Sequence, residues 1–104
     1  MIVVANRIQV APEYREEFER RFREGVRHIK DAPGFIRNHI LRPIRSDYYV
    51  VLSYWESQGT FKAWTESEAF QKAHSKSTPE GMFSGPSMME IHEVIITREA
   101  SKPA

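Results

Sequence analysis

Along the first ten residues, Ile2, Val4, Asn6, Ile8 and Val10 occupy alternate positions. A strand has a side-chain period of two, so residues 2–10 are predicted to form a strand with these five groups on one face. Four are apolar and one is a carboxamide. An amide left unpaired on such a face costs roughly 1–3 kcal/mol, so Asn6 is expected to serve either a structural hydrogen bond or a ligand. The period then changes. Tyr14, Phe18, Phe22, Val26 and Ile29 recur at spacings of four and three, the mark of one helical face, and predict a helix over 13–30 opened by Pro12. Glu16–Arg20, Glu17–Arg21 and Glu19–Arg23 fall at i,i+4 on its outer side and read as a solvated face.

Ala32-Pro33-Gly34 ends that helix, and residues 35–42 predict a second strand. Ser46-Asp47 marks a turn into a third strand, 48–55. There Tyr48, Val50, Leu52 and Tyr54 alternate with Tyr49, Val51, Ser53 and Trp55. A strand apolar on both sides is expected to be covered on both sides. Helical signals return at 58–64. Thr65-Glu66-Ser67-Glu68 has capping-box spacing and predicts a further helical piece from about 66 to 77. Residues 78–87 read as a loop and 88–97 as a last strand. The order is β-α-β-β-α-β, an α+β pattern of the ferredoxin-like type, with an antiparallel sheet and helices on one face. Residues 1–97 form a single domain on this reading, and 98–104 a frayed polar tail. A chain of this length has nothing to cover the sheet's other face, so a symmetric homodimer packed sheet to sheet is expected.

Composition narrows the chemistry. Fifteen Lys and Arg oppose fourteen Asp and Glu, and a net charge of +1 gives no basis for binding nucleic acid or an anionic membrane. The absence of cysteine excludes thiolate chemistry and disulfides and fits a cytoplasmic setting. The N-terminal apolar run is too short for a signal peptide or a membrane span. Zinc-hydrolase, phosphate-loop and nucleophile-elbow motifs do not occur. His28, His39 and His92 read as ordinary helix-end or strand residues. His74 shares a helical face with Phe70, four residues earlier, beside the small Ala69 and Ala73. On pattern alone it is a packed histidine near a helix end or a metal ligand. Phe61 and Trp64, at i,i+3, read as core.

Asn6, the F-x-x-W of Phe61–Trp64 and the S-x-x-F-x-x-A-H of Ser67–His74 together resemble the IsdG-type haem-degrading monooxygenases, dimeric α+β barrels of the antibiotic-biosynthesis-monooxygenase-like superfamily. The resemblance extends over nearly the whole chain. It takes in Glu19-Arg20 with Arg21-Phe22, the P-G-F of Pro33–Phe35, the L-R-P of Leu41–Pro43, and Tyr49–Ser57 with its W-E-S. It implies that haem is both cofactor and substrate. His74 is then the axial ligand of the haem iron. Asn6 is a distal hydrogen-bond donor toward O2, and Trp64 a bulky wall that presses the porphyrin out of plane. Phe22 and Arg21 line the pocket from the first helix, and the 78–87 loop covers its mouth. No flavin or nicotinamide motif is present, so the electrons are expected from an external reductase. Two other readings share the fold: a cofactor-independent quinol or aromatic monooxygenase, which needs no axial histidine, and a module that binds haem without degrading it.

Overall fold

In the computed structural model, which describes residues 1–25, 28–74 and 78–101, the alternating N-terminal run forms strand β1 (Ile2–Ile8). A 3-10 turn at Pro12–Tyr14 leads into helix α1 (Arg15–Glu24). A second 3-10 turn, His28–Asp31, precedes β2 (Phe35–Leu41). Then come β3 (Tyr49–Trp55), two short helices, α2 (Gln58–Thr65) and α3 (Glu68–Ala73), and β4 (Met88–Glu93). All strand pairs are antiparallel, in the order β2-β3-β1-β4. This is the ferredoxin-like order expected from the sequence, with the second helix in two pieces.

The boundaries differ where local chemistry outweighs periodicity. The helix predicted over 13–30 stops at Glu24. Gly25 takes an extended conformation (φ −96°, ψ −169°) while its N–H still bonds Arg21 O at 2.8 Å, which closes the last turn. Val26 lies outside the described residues. The cap of α3 is Ser67 rather than Thr65. Ser67 Oγ accepts from the Phe70 N–H, whereas the Thr65 hydroxyl donates back to Lys62 O within α2. The predicted end of this piece near Ser77 also lies outside the described residues. The last strand stops at Glu93 because its partner does: Glu93 pairs with Ile2, the first residue of β1, and only the Val94 N–H reaches further, to Met1 O.

Register assigns the sheet's two faces. Ile2 opposes Trp55, Val4 opposes Ser53, Asn6 opposes Val51 and Ile8 opposes Tyr49. These residues face the helices. Two apolar clusters form there, one at each end of the strands. The first joins Ile2, Val4, Ile29, Trp55 and Trp64, with Phe61 and Phe70 packed against it. The second joins Val10, Phe18, Tyr49 and Met82, with Ile8, Phe22 and Ile40 alongside. α2 and α3 serve the first cluster and α1 the second. Gly34 ties α2 to the sheet: it has φ +81°, a Cβ there would sit 2.4 Å from Thr60, and its carbonyl accepts from the Glu56 N–H. The opposite face presents Val3, Ala5, Val50, Leu52 and Tyr54, all half-buried, with Leu41 and Met88 exposed at the margins. No described element covers it.

Candidate functional site

Between the two clusters runs the strand row Ile40, Val51, Asn6 and Met89, one residue from each strand. It faces the helix layer, yet its β4 end is uncovered: Met89 is 57% exposed, and Ile91, opposite Val4, is 41% exposed. Among the described residues, α1 makes no extensive contact with α2 or α3. The helix layer is therefore split. Its gap has a floor of Val51, Met89 and Ile91 with a single polar side chain, Asn6. That carboxamide is half-buried and makes no hydrogen bond to a described residue. The structural partner that would explain an amide on this face is absent among those residues.

One wall of the gap is aromatic. Trp64 is 7% exposed, stacks on Trp55 (centroids 6.4 Å, 29°) and meets Phe70 edge-on at 5.8 Å. Phe70 in turn stacks on His74 at 4.1 Å and 28°. Trp64 is thus both the core residue its i,i+3 partner Phe61 indicated and one link of a ring series that ends at His74. It also borders a cavity of about 290 Å³ on the side of Ala32, Thr60 and Ala69, away from β1.

His74 is the residue that terminates α3, and it is exposed. Its Nδ1 lies 2.9 Å from the Phe70 carbonyl oxygen. A carbonyl only accepts, so Nδ1 carries the proton. In the neutral ring Nε2 then holds the free lone pair. The i,i+4 spacing that placed the two rings on one helical face also supplies this bond, through the last turn of the helix.

The other wall comes from α1. Phe22 packs on Phe18 (5.0 Å) and, with Ile40, lines a cavity of about 350 Å³ that continues to Glu19, Arg23, Arg42 and Tyr49. Arg21 ion-pairs with Glu17 at 3.5 Å on α1 and borders neither cavity. Asn6 and His74 do not border these cavities either. Trp64 on α2 and His74 at the end of α3 are linked through the Phe70 ring, while Asn6 lies on β1 and Phe22 and Arg21 lie on α1.

The sequence reading missed Glu19, which it placed on a wet helix face. Its side chain is only 15% exposed. It accepts from Arg42 Nε at 2.8 Å, from Arg42 Nη2, and from the Tyr49 hydroxyl at 2.5 Å. These bonds, Arg42 first, hold its carboxyl at about 2, well below the carboxylate range. Burial, then Glu19, push the Tyr49 phenol upward. The three residues pin α1 to the hairpin end of the sheet. Position alone offered one hint: Glu19 directly follows the buried Phe18, at the border of the apolar stripe. Of the predicted i,i+4 pairs, Glu17–Arg21 and Glu19–Arg23 form, while Arg20 turns to Glu17 and Glu24.

Comparison with known proteins places this geometry among relatives. Residues 1–76 match the family described as antibiotic biosynthesis monooxygenase. The chain is 30% identical over 104 residues to a haem oxygenase (mycobilin-producing) of Mycobacterium tuberculosis, covering 99% of this chain and 98% of that one. It is 37% identical over 78 residues to a haem oxygenase (staphylobilin-producing) of Staphylococcus haemolyticus, covering 71% and 73% respectively. Among solved structures, the haem degrader MhuD of Mycobacterium tuberculosis, with two haems bound in its active site, superimposes with a TM-score of 0.80 at 28% identity over 95% of this chain and all of that one. A variant of MhuD with two manganese protoporphyrin IX per active site gives a TM-score of 0.85 at 27% identity, over 96% of this chain and all of that one.

Proposed function

Because the chain belongs to the antibiotic biosynthesis monooxygenase family, we propose that it is a haem-degrading monooxygenase of the IsdG type, which binds haem in the gap between α1 and α2–α3 and opens its ring with O2 and electrons from a separate reductase. The observation that carries this reading is the His74 geometry. A backbone carbonyl fixes Nδ1 as the donor and leaves Nε2 free, the arrangement by which proteins orient a metal-binding imidazole. The residues of the gap fit haem in other respects. The floor is apolar and partly exposed, as a macrocycle requires, and one unpaired amide faces into it.

When bound, haem supplies both the redox-active iron and the ring carbon that is oxidised. The chain's own residues bind and orient it. His74 ligates through Nε2. Its ring is held by the Phe70 stack as well as by the Nδ1 bond, so little rotational freedom is lost on binding. Asn6, on a central strand of the sheet, would offer a carboxamide N–H as a donor to stabilise developing negative charge. Trp64 is backed by Trp55, which is fully buried. Close packing makes that residue hard to displace, so Trp64 would present a fixed apolar surface to a bound ring. Phe22 closes the opposite side, and Arg21 flanks it.

We further propose that the working unit is a homodimer joined through the open sheet face and that it acts in the cytoplasm. The apolar, uncovered β3 residues support the first, and a cysteine-free chain is in keeping with the second. Haem titration followed through the Soret band, with reductant then added in air beside catalase, tests the activity. Saturable binding, then Soret loss with release of iron, is expected. A Soret band that persists under reductant would reduce the protein to a haem carrier. Failure to bind would return the search to quinols.

A further inference from the structure

The four methionines occupy different surroundings. Met82 is 1% exposed, in the cluster with Phe18 and Tyr49. Met1 begins the chain at 43% exposure. Met88 and Met89 are neighbours on β4 with nearly equal exposure, 56% and 57%, but successive strand residues serve opposite faces of the sheet. Met88 opposes Arg7 and belongs to the outer face, where the second copy is proposed to pack. Met89 opposes Asn6 and belongs to the gap. Its apolar neighbours there are Val51, one strand beyond Asn6, and Ile91, two residues along β4. A thioether is flexible and readily oxidised, unlike the aliphatic side chains that share this floor.

We propose that Met89 is an oxidation site that makes haem binding sensitive to hydrogen peroxide. It rests on the haem reading above and adds a regulation to that site. O2 that takes two electrons and two protons from the reductant, without passing oxygen to the ring, leaves as hydrogen peroxide. The Met89 sulfur attacks one peroxide oxygen with a lone pair. The S–O bond forms, the O–O bond breaks and water leaves, so the thioether gains one oxygen and gives two electrons to the peroxide. The sulfoxide is a polar group on a floor whose single polar side chain was Asn6. A flat apolar ring laid over it removes hydration that Val51 and Ile91 cannot replace, so haem binds less tightly after oxidation. Bound haem shields the sulfur, and peroxide therefore acts on chains whose gap is empty. Methionine sulfoxide reductases reverse this modification, which makes it a brake on haem loading rather than permanent damage.

The test uses gallium(III) protoporphyrin IX, which keeps the shape of haem without its redox chemistry. The full chain is treated with hydrogen peroxide with and without this porphyrin, and sulfoxide at each methionine is read by peptide mass spectrometry. Met89 is expected to oxidise in the free chain and several-fold more slowly with porphyrin bound, while Met1 keeps its rate and Met82 stays reduced. Soret titration of the oxidised protein should show an affinity lower by roughly three- to tenfold. Met88→Leu should keep that loss. Met89→Leu should have the same affinity before and after peroxide, and Met89→Gln should carry the loss without peroxide. Equal oxidation of Met89 with and without bound porphyrin would overturn the inference and leave haem binding intact. So would an affinity unchanged by Met89 oxidation, or a peroxide-dependent loss that survives in Met89→Leu. No Soret change with either haem or the gallium porphyrin would remove the haem reading itself and this inference with it.

Discussion

Among single residues, binding and turnover rest on different side chains. His74→Ala removes an exposed side chain and should change stability by less than about 1 kcal/mol. It should nevertheless abolish or strongly shift the Soret signature, and added imidazole should restore it. Asn6→Ala should keep the Soret band and slow turnover by roughly tenfold or more, the scale of a lost preorganised donor. An unchanged His74→Ala spectrum, or full activity in Asn6→Ala, would remove those roles. Trp64 calls for a gentler change. It is buried against Trp55, so Trp64→Ala should cost about 3–5 kcal/mol of stability and confound any catalytic measurement. Trp64→Phe keeps most of the packing. It should retain the fold, judged by melting, and relax the porphyrin, judged by the paramagnetic NMR shifts of the ferric complex. Asn6 stood out in the chain as an amide within an apolar alternation, whereas by pattern Trp64 read as core and His74 stayed open between packing and ligation, and the family resemblance alone joined the three. The Nδ1 bond of His74 was not legible, because a helix terminus is set by local backbone geometry that spacing does not encode.

Among elements, the Glu19–Arg42–Tyr49 cluster joins α1 to the hairpin end of the sheet, beside the apolar packing of Phe18 on Tyr49. Glu19 has a carboxyl lowered from 4.5 to about 2, chiefly by Arg42 and then by Tyr49. A depressed acid contributes stability that is present above its unfolded value and lost as pH falls through the folded one. The contribution should therefore be intact above about pH 4.5 and disappear toward pH 2. Chemical denaturation of wild type and Glu19→Gln across that window should show two curves that converge as the pH drops. Parallel curves would mean that Glu19 does not carry the linkage. Helix and strand identities followed from period alone, because burial on one face dictates them. Helix ends did not. Gly25 in an extended conformation, and Ser67 rather than Thr65 as the α3 cap, depend on which competing hydrogen bond the chain selects. The cluster was equally hidden, since Glu19, Arg42 and Tyr49 are brought together only by the docking of α1 on the sheet.

At the scale of the whole molecule, the sheet is half covered. Val50, Leu52 and Tyr54 alternate with the helix-facing residues of β3; on their own side Arg37 and His39 of the neighbouring β2 flank the Tyr54 ring, and no described element packs over the face. The dual apolar pattern of this strand was legible in the sequence, and it is the ground for the proposed sheet-to-sheet homodimer. Leu52→Lys places a charge at the middle of that face without touching the gap. Sedimentation equilibrium should give a dimer for the wild type and a folded monomer for the variant. A wild-type monomer would contradict the proposal.

The central claim, that haem is consumed rather than carried, is tested most directly by mass spectrometry of the tetrapyrrole after one turnover under ¹⁸O2 with a chemical reductant and catalase. A linear tetrapyrrole carrying ¹⁸O is expected, with iron freed in step with its appearance and neither product from His74→Ala. Recovery of intact haem from the wild-type protein, with no labelled product, would contradict it.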